Sequence, residues 1–169
     1  KESLLRTAQA VREWLDSAGL PDVTRAAVKI AGCTSVAFLG SDYGWPIARE
    51  AALKLKEAAY IHAEGFSAGE FRHGSIAMVG AESAVVGIAD EDALPAVERP
   101  LQEVAGSKAL RYTLGMSIPG VVRLGPEVDV SFNTLGWLVT AQLIALHAAR
   151  ARGLDSDAPR GLRKALVSE

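Results

Sequence analysis

The chain has 169 residues, of which 49% are hydrophobic and 22% charged, and a formal net charge of -2. This is the composition of a globular domain, and without a run of Lys and Arg it excludes a binding surface for nucleic acid or an anionic membrane. The longest apolar stretch, at 135–149, is interrupted by Gln142 and His147, so no segment spans a bilayer. Cys33 is the only cysteine and zinc-ligand spacing is absent, so we expect no metal, no cofactor and a cytoplasmic location.

The first elements predicted in chain order are two helices. Apolar residues at positions 4, 5, 8, 11 and 15 recur at helical spacing, and the turn GLPDV precedes a second helix at 23–31. Because the chain opens at Lys1 directly in a helical pattern, we expect it to be part of a longer protein.

Strands and helices alternate over the next hundred residues. The apolar runs SVAFLG at 35–40 and SAVVGIA at 83–89 predict strands buried on both faces, and shorter strands are predicted at 109–114 and 121–124. Helices are predicted from about Pro46, at 94–104 and at 132–152. This alternation predicts an α/β fold in which helices cover both faces of a parallel sheet.

The turn after the first strand, FLGSDYGWP, has the order strand, glycine turn and helix N-terminus that can bind an anion. Neither G-x-G-x-x-G nor G-x-x-x-x-G-K-[ST] is present, so the sequence does not support binding of a dinucleotide or a nucleoside triphosphate. A structural turn without a ligand fits the same residues, and the sequence leaves both interpretations open.

Three charged residues of the long helix, Glu50, Lys54 and Glu57, fall within an arc of about 60°. Apolar residues flank this arc, whereas Arg49 and Lys56 form a separate charged strip. We therefore expect the arc to line a cleft, where a carboxylate beside an ammonium can act as a general base. The alternative is a solvated i,i+4 pair between Glu50 and Lys54.

Three histidines need separate interpretations. His73 lies in GEFRHGSIAM between two glycines, where a bend can present it as a catalytic group, although a surface or packing role fits as well. His62 and His147 lie in apolar stretches that we interpret as helical, and we assign both a structural role. Lys164 is a single cation in a polar, turn-rich tail, a composition typical of a frayed end.

Two blocks of sequence point to a family. The segment FLGSDYGWPIAREAALKLKEAAYIHAEGFSAGEFRHGSIAMV resembles the second sugar isomerase (SIS) domain of the glucosamine-6-phosphate synthase family and of its relatives without a glutaminase domain. The tail LDSDAPRGLRKALVSE resembles the ending of that family. The resemblance implies a three-layer α/β/α domain with a flavodoxin-like sheet. It divides the chain into a segment leading in from an upstream SIS half (1–34), an SIS domain (35–152) and a catalytic tail or lid (153–169).

The resemblance also implies a role for each matching residue. Glu57 matches the base that moves a proton between C1 and C2 of an open-chain sugar phosphate, and Lys54 lies in the same site. His73 matches a histidine that assists ring opening and comes from the neighbouring subunit of a homodimer. Lys164 matches the lysine that holds the ketose as a Schiff base. We expect three further residues to bind the substrate: Ser41, Glu50 and Arg160.

Three positions depart from the family pattern: Asp42 replaces a glycine, Arg49 a leucine and Ser75 a proline. An additional acid at the turn would repel a phosphate, so the first departure bears on specificity. The Ser/Thr-rich phosphate loop of the family belongs to its first SIS half and is not visible in this sequence. We therefore expect this chain alone to hold only part of an active site.

The expected function is that of an enzyme domain for aldose–ketose isomerisation or amino transfer on fructose 6-phosphate, glucosamine 6-phosphate or a similar phosphosugar. One alternative is a non-catalytic phosphosugar-binding module that regulates transcription. The presence of a base, a histidine and a Schiff-base lysine together argues against pure binding. A structural half whose catalytic twin lies upstream is a further alternative.

Overall fold

The structure, a computed structural model, describes residues 2–17, 19–128 and 132–162. Five strands form one parallel sheet: β1 (Ser35–Gly40), β2 (His62–Ser67), β3 (Ser83–Ala89), β4 (Leu110–Gly115) and β5 (Val122–Leu124). Their order across the sheet is β2-β1-β3-β4-β5. This is the flavodoxin-like order of a doubly wound fold, and it confirms the predicted parallel sheet.

Helices cover both faces of the sheet. They are α1 (Glu2–Leu15), α2 (Gly19–Ala31), α3 (Gly44–Ala59), α4 (Ala68–Phe71), α5 (Leu94–Glu103) and α6 (Asn133–Ala151), with short 3-10 turns at Ser75–Met78 and Ala105–Ser107. The helices α2, α3 and α6 pack together on one face, and α4 and α5 lie on the other. The three-layer α/β/α prediction is therefore confirmed. Within the described part of the chain, no helix has the length and apolar character needed to cross a membrane.

The core consists of two clusters, one on each face of the sheet. Phe38 points to the first cluster, with Leu55 of α3 and Ile144 of α6, whereas the adjacent Leu39 points to the second, with Phe71. Consecutive side chains of a strand project to opposite faces, so a strand covered on both faces is apolar throughout. All seven residues of β3 are buried, which explains why its sequence predicts a strand so clearly.

The prediction that His62 lies in a helical stretch is wrong, because α3 ends at Ala59 and His62–Ser67 forms β2. Tyr60 ends α3 in the left-handed conformation (φ 53°), and its N–H donates a hydrogen bond to the carbonyl of Lys56. Ile61 is then buried, and His62 begins the edge strand as an exposed residue. His62 is therefore not within a helix. The remaining predicted strands and helices are present, with ends that differ by a few residues.

Small residues let α3 pack closely against the sheet. Ala48, Ala51 and Ala52 are buried on its inner side. Where α3 crosses β2, a Cβ on Gly65 would lie 2.6 Å from both the Cα and the N of Arg49. Because such a distance is well inside van der Waals contact, only glycine permits this approach. The position of α3, and of every side chain it carries, depends on this contact.

The close approach predicts that Gly65→Ala lowers the free energy of unfolding by about 1–3 kcal/mol, since an added carbon must displace helix backbone. Urea denaturation measures the change. Gly106→Ala is the control, because a Cβ there meets no atom within 4 Å. Equal stability of the two variants would contradict the packing described for α3.

Candidate active site

A cleft of about 220 Å³ lies between α3, α6 and the residues that follow α6. We call it the α3–α6 cleft. Its polar lining includes Lys54 and Glu57 from α3 and Gln142 from α6. Its third wall comes from the tail segment, defined as residues 153–162. The tail residues that line the cleft are Ser156, Pro159 and Leu162.

Lys54 joins the two acids of its helix face into a charged cluster. Its Nζ donates a hydrogen bond to Glu57 Oε2 at 2.8 Å and lies 3.4 Å from Glu50 Oε1. The side chains of Lys54, Glu57 and Glu50 are 35%, 29% and 39% exposed, respectively. The hydrogen bond to Glu57 raises the pKa of Lys54, partial burial opposes this, and the charge of Glu50 adds to the rise. Lys54 is therefore cationic at neutral pH and holds Glu57 in a charge-assisted hydrogen bond.

Arg49 and Lys56, which form the separate charged strip of α3, are both exposed. The Arg49 guanidinium lies 5.7 Å from the ring centroid of Trp45. Both cations, with Glu50, border an open groove between α3 and β2 rather than the α3–α6 cleft. The departure from the family pattern at Arg49 therefore lies outside the lining of the cleft.

The tail segment turns back toward α3 directly after α6. Gly153 takes the left-handed conformation (φ 67°), and its N–H donates to the carbonyl of Arg150 at 3.0 Å. The N–H of Leu154 donates to the carbonyl of Ala149 at 3.0 Å, and the Leu154 side chain packs against the core. These are the contacts of a Schellman C-cap, which explains how the chain reverses at the end of a buried helix.

Arg160, which is predicted to bind substrate, contacts Tyr60 in this structure. Its backbone N–H donates a hydrogen bond to the Tyr60 hydroxyl at 2.8 Å, and its guanidinium lies 4.4 Å from the centroid of the same ring. Lys164, the predicted Schiff-base residue, lies outside the described residues.

Ser41 lies at the other end of α3 from the α3–α6 cleft. It follows β1 directly, and its carbonyl accepts a hydrogen bond from Gly44. Thirteen helical residues separate Gly44 from Glu57, which corresponds to about 20 Å at the rise of an α-helix. The structure therefore does not bring Ser41 and Glu57 into one site.

The crevice beside Ser41 is acidic. It lies at the carboxyl ends of β1 and β3, where doubly wound folds commonly bind ligands, and Asp42, Asp90 and Asp92 contribute to its lining. Carboxylates repel a phosphate, so the interpretation of this turn as an anion site is not supported. In the described part of the chain, no group of three or more His, Cys, Asp or Glu residues could hold a metal ion.

His73 is exposed on the bend between α4 and the following 3-10 turn, as predicted from its flanking glycines. The neighbouring Phe71 belongs to the core cluster that α4 and α5 cover, whereas α3 covers the opposite face. The sheet therefore separates His73 from Glu57 within one chain. Of the three predicted catalytic residues that lie in the described part of the chain, Lys54 and Glu57 come together and His73 lies apart from them.

Sequence analysis did not identify Gln142 or Tyr60 as candidates. The sequence could have identified Gln142, since it is a polar residue within the apolar stretch of α6. In the structure it lines the cleft. The sequence could not have identified Tyr60, because its contact with Arg160 joins residues 100 positions apart.

Comparison with known proteins identifies the family. The chain belongs to the SIS domain family, whose sequence pattern matches residues 29–114, just over half of the chain. The glutamine–fructose-6-phosphate aminotransferase [isomerizing] of Bradyrhizobium diazoefficiens is 38% identical over 186 aligned positions that cover 100% of this chain. The chain spans 31% of the length of that relative.

Two solved structures share the fold. The C-terminal domain of glucosamine-fructose-6-phosphate aminotransferase from Francisella tularensis has a TM-score of 0.73 at 25% identity and covers 89% of this chain and 43% of that chain. The sugar isomerase domain of the RpiR transcription factor from Sphaerobacter thermophilus has a TM-score of 0.71 at 17% identity and covers 90% of both chains. The second likeness shows the fold alone.

The cluster in the cleft predicts that Glu57→Gln lowers the pKa of Lys54 toward 10.5, its ordinary value, because the largest cause of the rise is lost. NMR titration of the lysine Cε and Nζ resonances measures the pKa. Glu64→Gln, on the neighbouring strand β2, is the control and leaves the Lys54 titration unchanged. An unchanged Lys54 pKa in Glu57→Gln would contradict the 2.8 Å hydrogen bond.

Proposed function

We propose that this SIS domain supplies the proton-transferring carboxylate of an enzyme that interconverts aldose and ketose phosphosugars, as a synthase, a deaminase or a plain isomerase. The observation that carries the proposal is the 2.8 Å pair of Lys54 and Glu57 in the α3–α6 cleft. The identity to an isomerizing aminotransferase across the whole chain supports it.

In this proposal Glu57 is the general base. It removes a proton from C1 of the open-chain ketose, and the electron pair of that C–H bond moves to form an enediolate with negative charge on the carbonyl oxygen. The same carboxyl group then returns the proton to C2 while the proton of the C1 hydroxyl passes to the oxygen on C2, which gives the aldose. Lys54 keeps the carboxylate oriented, and its ammonium charge favours the developing anion in a partly desolvated cleft.

We assign Lys164 the role of the Schiff-base lysine, on the resemblance of the tail to the family ending. The Lys164 amine adds to C2 of the open-chain ketose and the carbonyl oxygen leaves as water, which gives an iminium that is more electrophilic than the carbonyl, because the cationic nitrogen accepts an electron pair more readily. Water or an amine then attacks C2 and releases Lys164 before Glu57 transfers the proton. The support from the described residues is that Ser156, Pro159 and Leu162 of the tail segment line the same cleft as Glu57.

The phosphate of the substrate is proposed to bind outside this chain. The crevice beside Ser41 is acidic, and the chain spans 31% of the length of its relative. We propose that an upstream SIS half supplies the phosphate loop and that residues 1–34, with α1 and α2, lead in from it. In a site completed in this way, Ser41 does not contact the carbon atoms that react.

We further propose that the protein acts as a cytoplasmic homodimer in which His73 completes the site of the neighbouring subunit. The support is geometric: His73 is exposed and lies on the opposite side of the sheet from Glu57 of its own chain. A side chain in that place can assist ring opening only in another active site.

The proposed role of Glu57 predicts that proton exchange into the sugar depends on this carboxylate. Proton NMR in D2O follows fructose 6-phosphate and glucosamine 6-phosphate with the full-length protein, and the wild type is expected to incorporate deuterium at C1 or C2. Glu57→Gln lowers that rate by about 100-fold or more, the usual contribution of a general base, while binding of the sugar is retained. Glu82→Gln, an exposed acid before β3, is the control.

Two outcomes would overturn this assignment. Normal exchange in Glu57→Gln would remove Glu57 from the mechanism. Bound sugar without exchange in the wild type would indicate a phosphosugar-binding module, which is the regulatory alternative.

The shared-site proposal predicts complementation between two inactive variants. Glu57→Gln and His73→Ala are each inactive, and mixing equal amounts under conditions of subunit exchange restores about a quarter of wild-type activity, since half of the dimers then carry one intact site. Activity that stays absent after mixing, with exchange verified by mass spectrometry, would place His73 in the site of its own chain.

A further inference from the structure

We propose that Tyr60 is a positioning residue, which holds the tail segment against the end of α3 and so fixes the cleft wall that faces Glu57. The catalytic part of this inference rests on the proposed function of the cleft. The anchoring part concerns the structure alone and is tested separately.

Tyr60 holds Arg160 by two different interactions. Its hydroxyl accepts the backbone N–H of Arg160 at 2.8 Å, and its ring lies 4.4 Å from the guanidinium carbon. The first contact fixes a backbone atom, so it holds the path of the chain rather than the direction of a side chain. The second adds a cation–π attraction on the ring face.

The contact between Tyr60 and Arg160 lies next to tail residues that line the α3–α6 cleft. Within the described residues, the Tyr60 hydroxyl provides the hydrogen bond that joins 155–162 to the rest of the chain; the other bonds of this stretch, between Asp155 and Asp157 and between Pro159 and Leu162, are internal. Pro159 precedes Arg160 directly and lines the cleft, as does Leu162 two positions later. Release of Arg160 therefore frees two of the three tail residues of the wall.

The backbone of Tyr60 is held in place by contacts that do not involve the tail segment. Its left-handed backbone conformation is held by the hydrogen bond to the Lys56 carbonyl, and the adjacent Ala59 and Ile61 are buried. Tyr60 is the cap that directly follows α3, and Glu57 lies three residues before it in the last turn of the helix. The proposed base and the anchor of the tail therefore lie at the same end of α3.

Variants of the full-length protein separate the two contacts. Tyr60→Phe removes the hydroxyl and keeps the ring, Tyr60→Leu removes both contacts, and Arg160→Ala keeps the backbone N–H but removes the cation. Arg160→Lys restores a cation. Arg152→Ala removes an exposed arginine at the end of α6 and is the control.

Hydrogen–deuterium exchange by mass spectrometry reports the anchoring without any assay of activity. Tyr60→Phe is expected to speed exchange of the amides at 153–162 by about 2- to 10-fold, the effect of one lost hydrogen bond. Tyr60→Leu has a larger effect, and Arg160→Lys lies closer to the wild type than Arg160→Ala does. Exchange in the sheet and in α3 stays at the wild-type rate.

Steady-state kinetics then tests positioning. In Tyr60→Leu, kcat/KM for the phosphosugar falls about 10-fold or more, mainly through kcat. The reason is that the reacting groups are less well oriented when the tail wall of the cleft is displaced. The midpoint of thermal unfolding stays within a few degrees of the wild type, and Arg152→Ala matches the wild type throughout.

Three results would overturn the inference. Wild-type exchange of the tail segment in both Tyr60 variants would show that Tyr60 does not anchor it. Faster amide exchange of the tail segment with an unchanged kcat/KM would show that the anchored cleft wall does not position the reacting groups. Faster exchange throughout the sheet would assign Tyr60 a role in folding instead. If the wild type itself catalyses no proton exchange, the proposed function fails, and amide exchange of the tail segment still decides whether Tyr60 anchors it.

Discussion

The close contact between α3 and the sheet is the constraint on which the candidate site depends. Gly65 and a row of alanines let the helix backbone approach β2, and interiors packed to this density cannot shift without loss of contacts. The helix is consequently a rigid support. It presents Lys54 and Glu57 to the α3–α6 cleft on one side, the exposed cations on another, and Tyr60 to the tail at its end.

The residues of the proposed site lie on two different faces of the sheet. The cleft belongs to the face covered by α2, α3 and α6, whereas His73 projects from the bend after α4 on the other. The ligand-binding crevice expected of a doubly wound fold is acidic here. The proposal that further parts of the site come from outside this chain follows from this geometry, and the chain spans 31% of the length of its Bradyrhizobium relative.

The sequence predicts those features that depend on local pattern. The strands β1 and β3 are covered on both faces and therefore read as apolar runs, and the charged arc of α3 follows from helical periodicity alone. The edge strand β2 is short, contains a glycine and is not an apolar run, and the left-handed Tyr60 that ends α3 is not a glycine, so the sequence does not mark the change from helix to strand. Contacts between distant positions, such as Tyr60 with Arg160, leave no trace in a single sequence.

The fixed contact at Gly65 has a consequence for how the chain can vary in length. Each residue inserted into or deleted from α3 between Arg49 and Glu57 rotates all later positions by about 100° around the helix axis. A single such change carries Glu57 out of the cleft and turns Tyr60 away from the tail, while the sheet contact stays in place. A change of length in the surface turns after α5 or β4, which lie outside this stretch of α3, leaves the direction of Glu57 and Tyr60 unchanged.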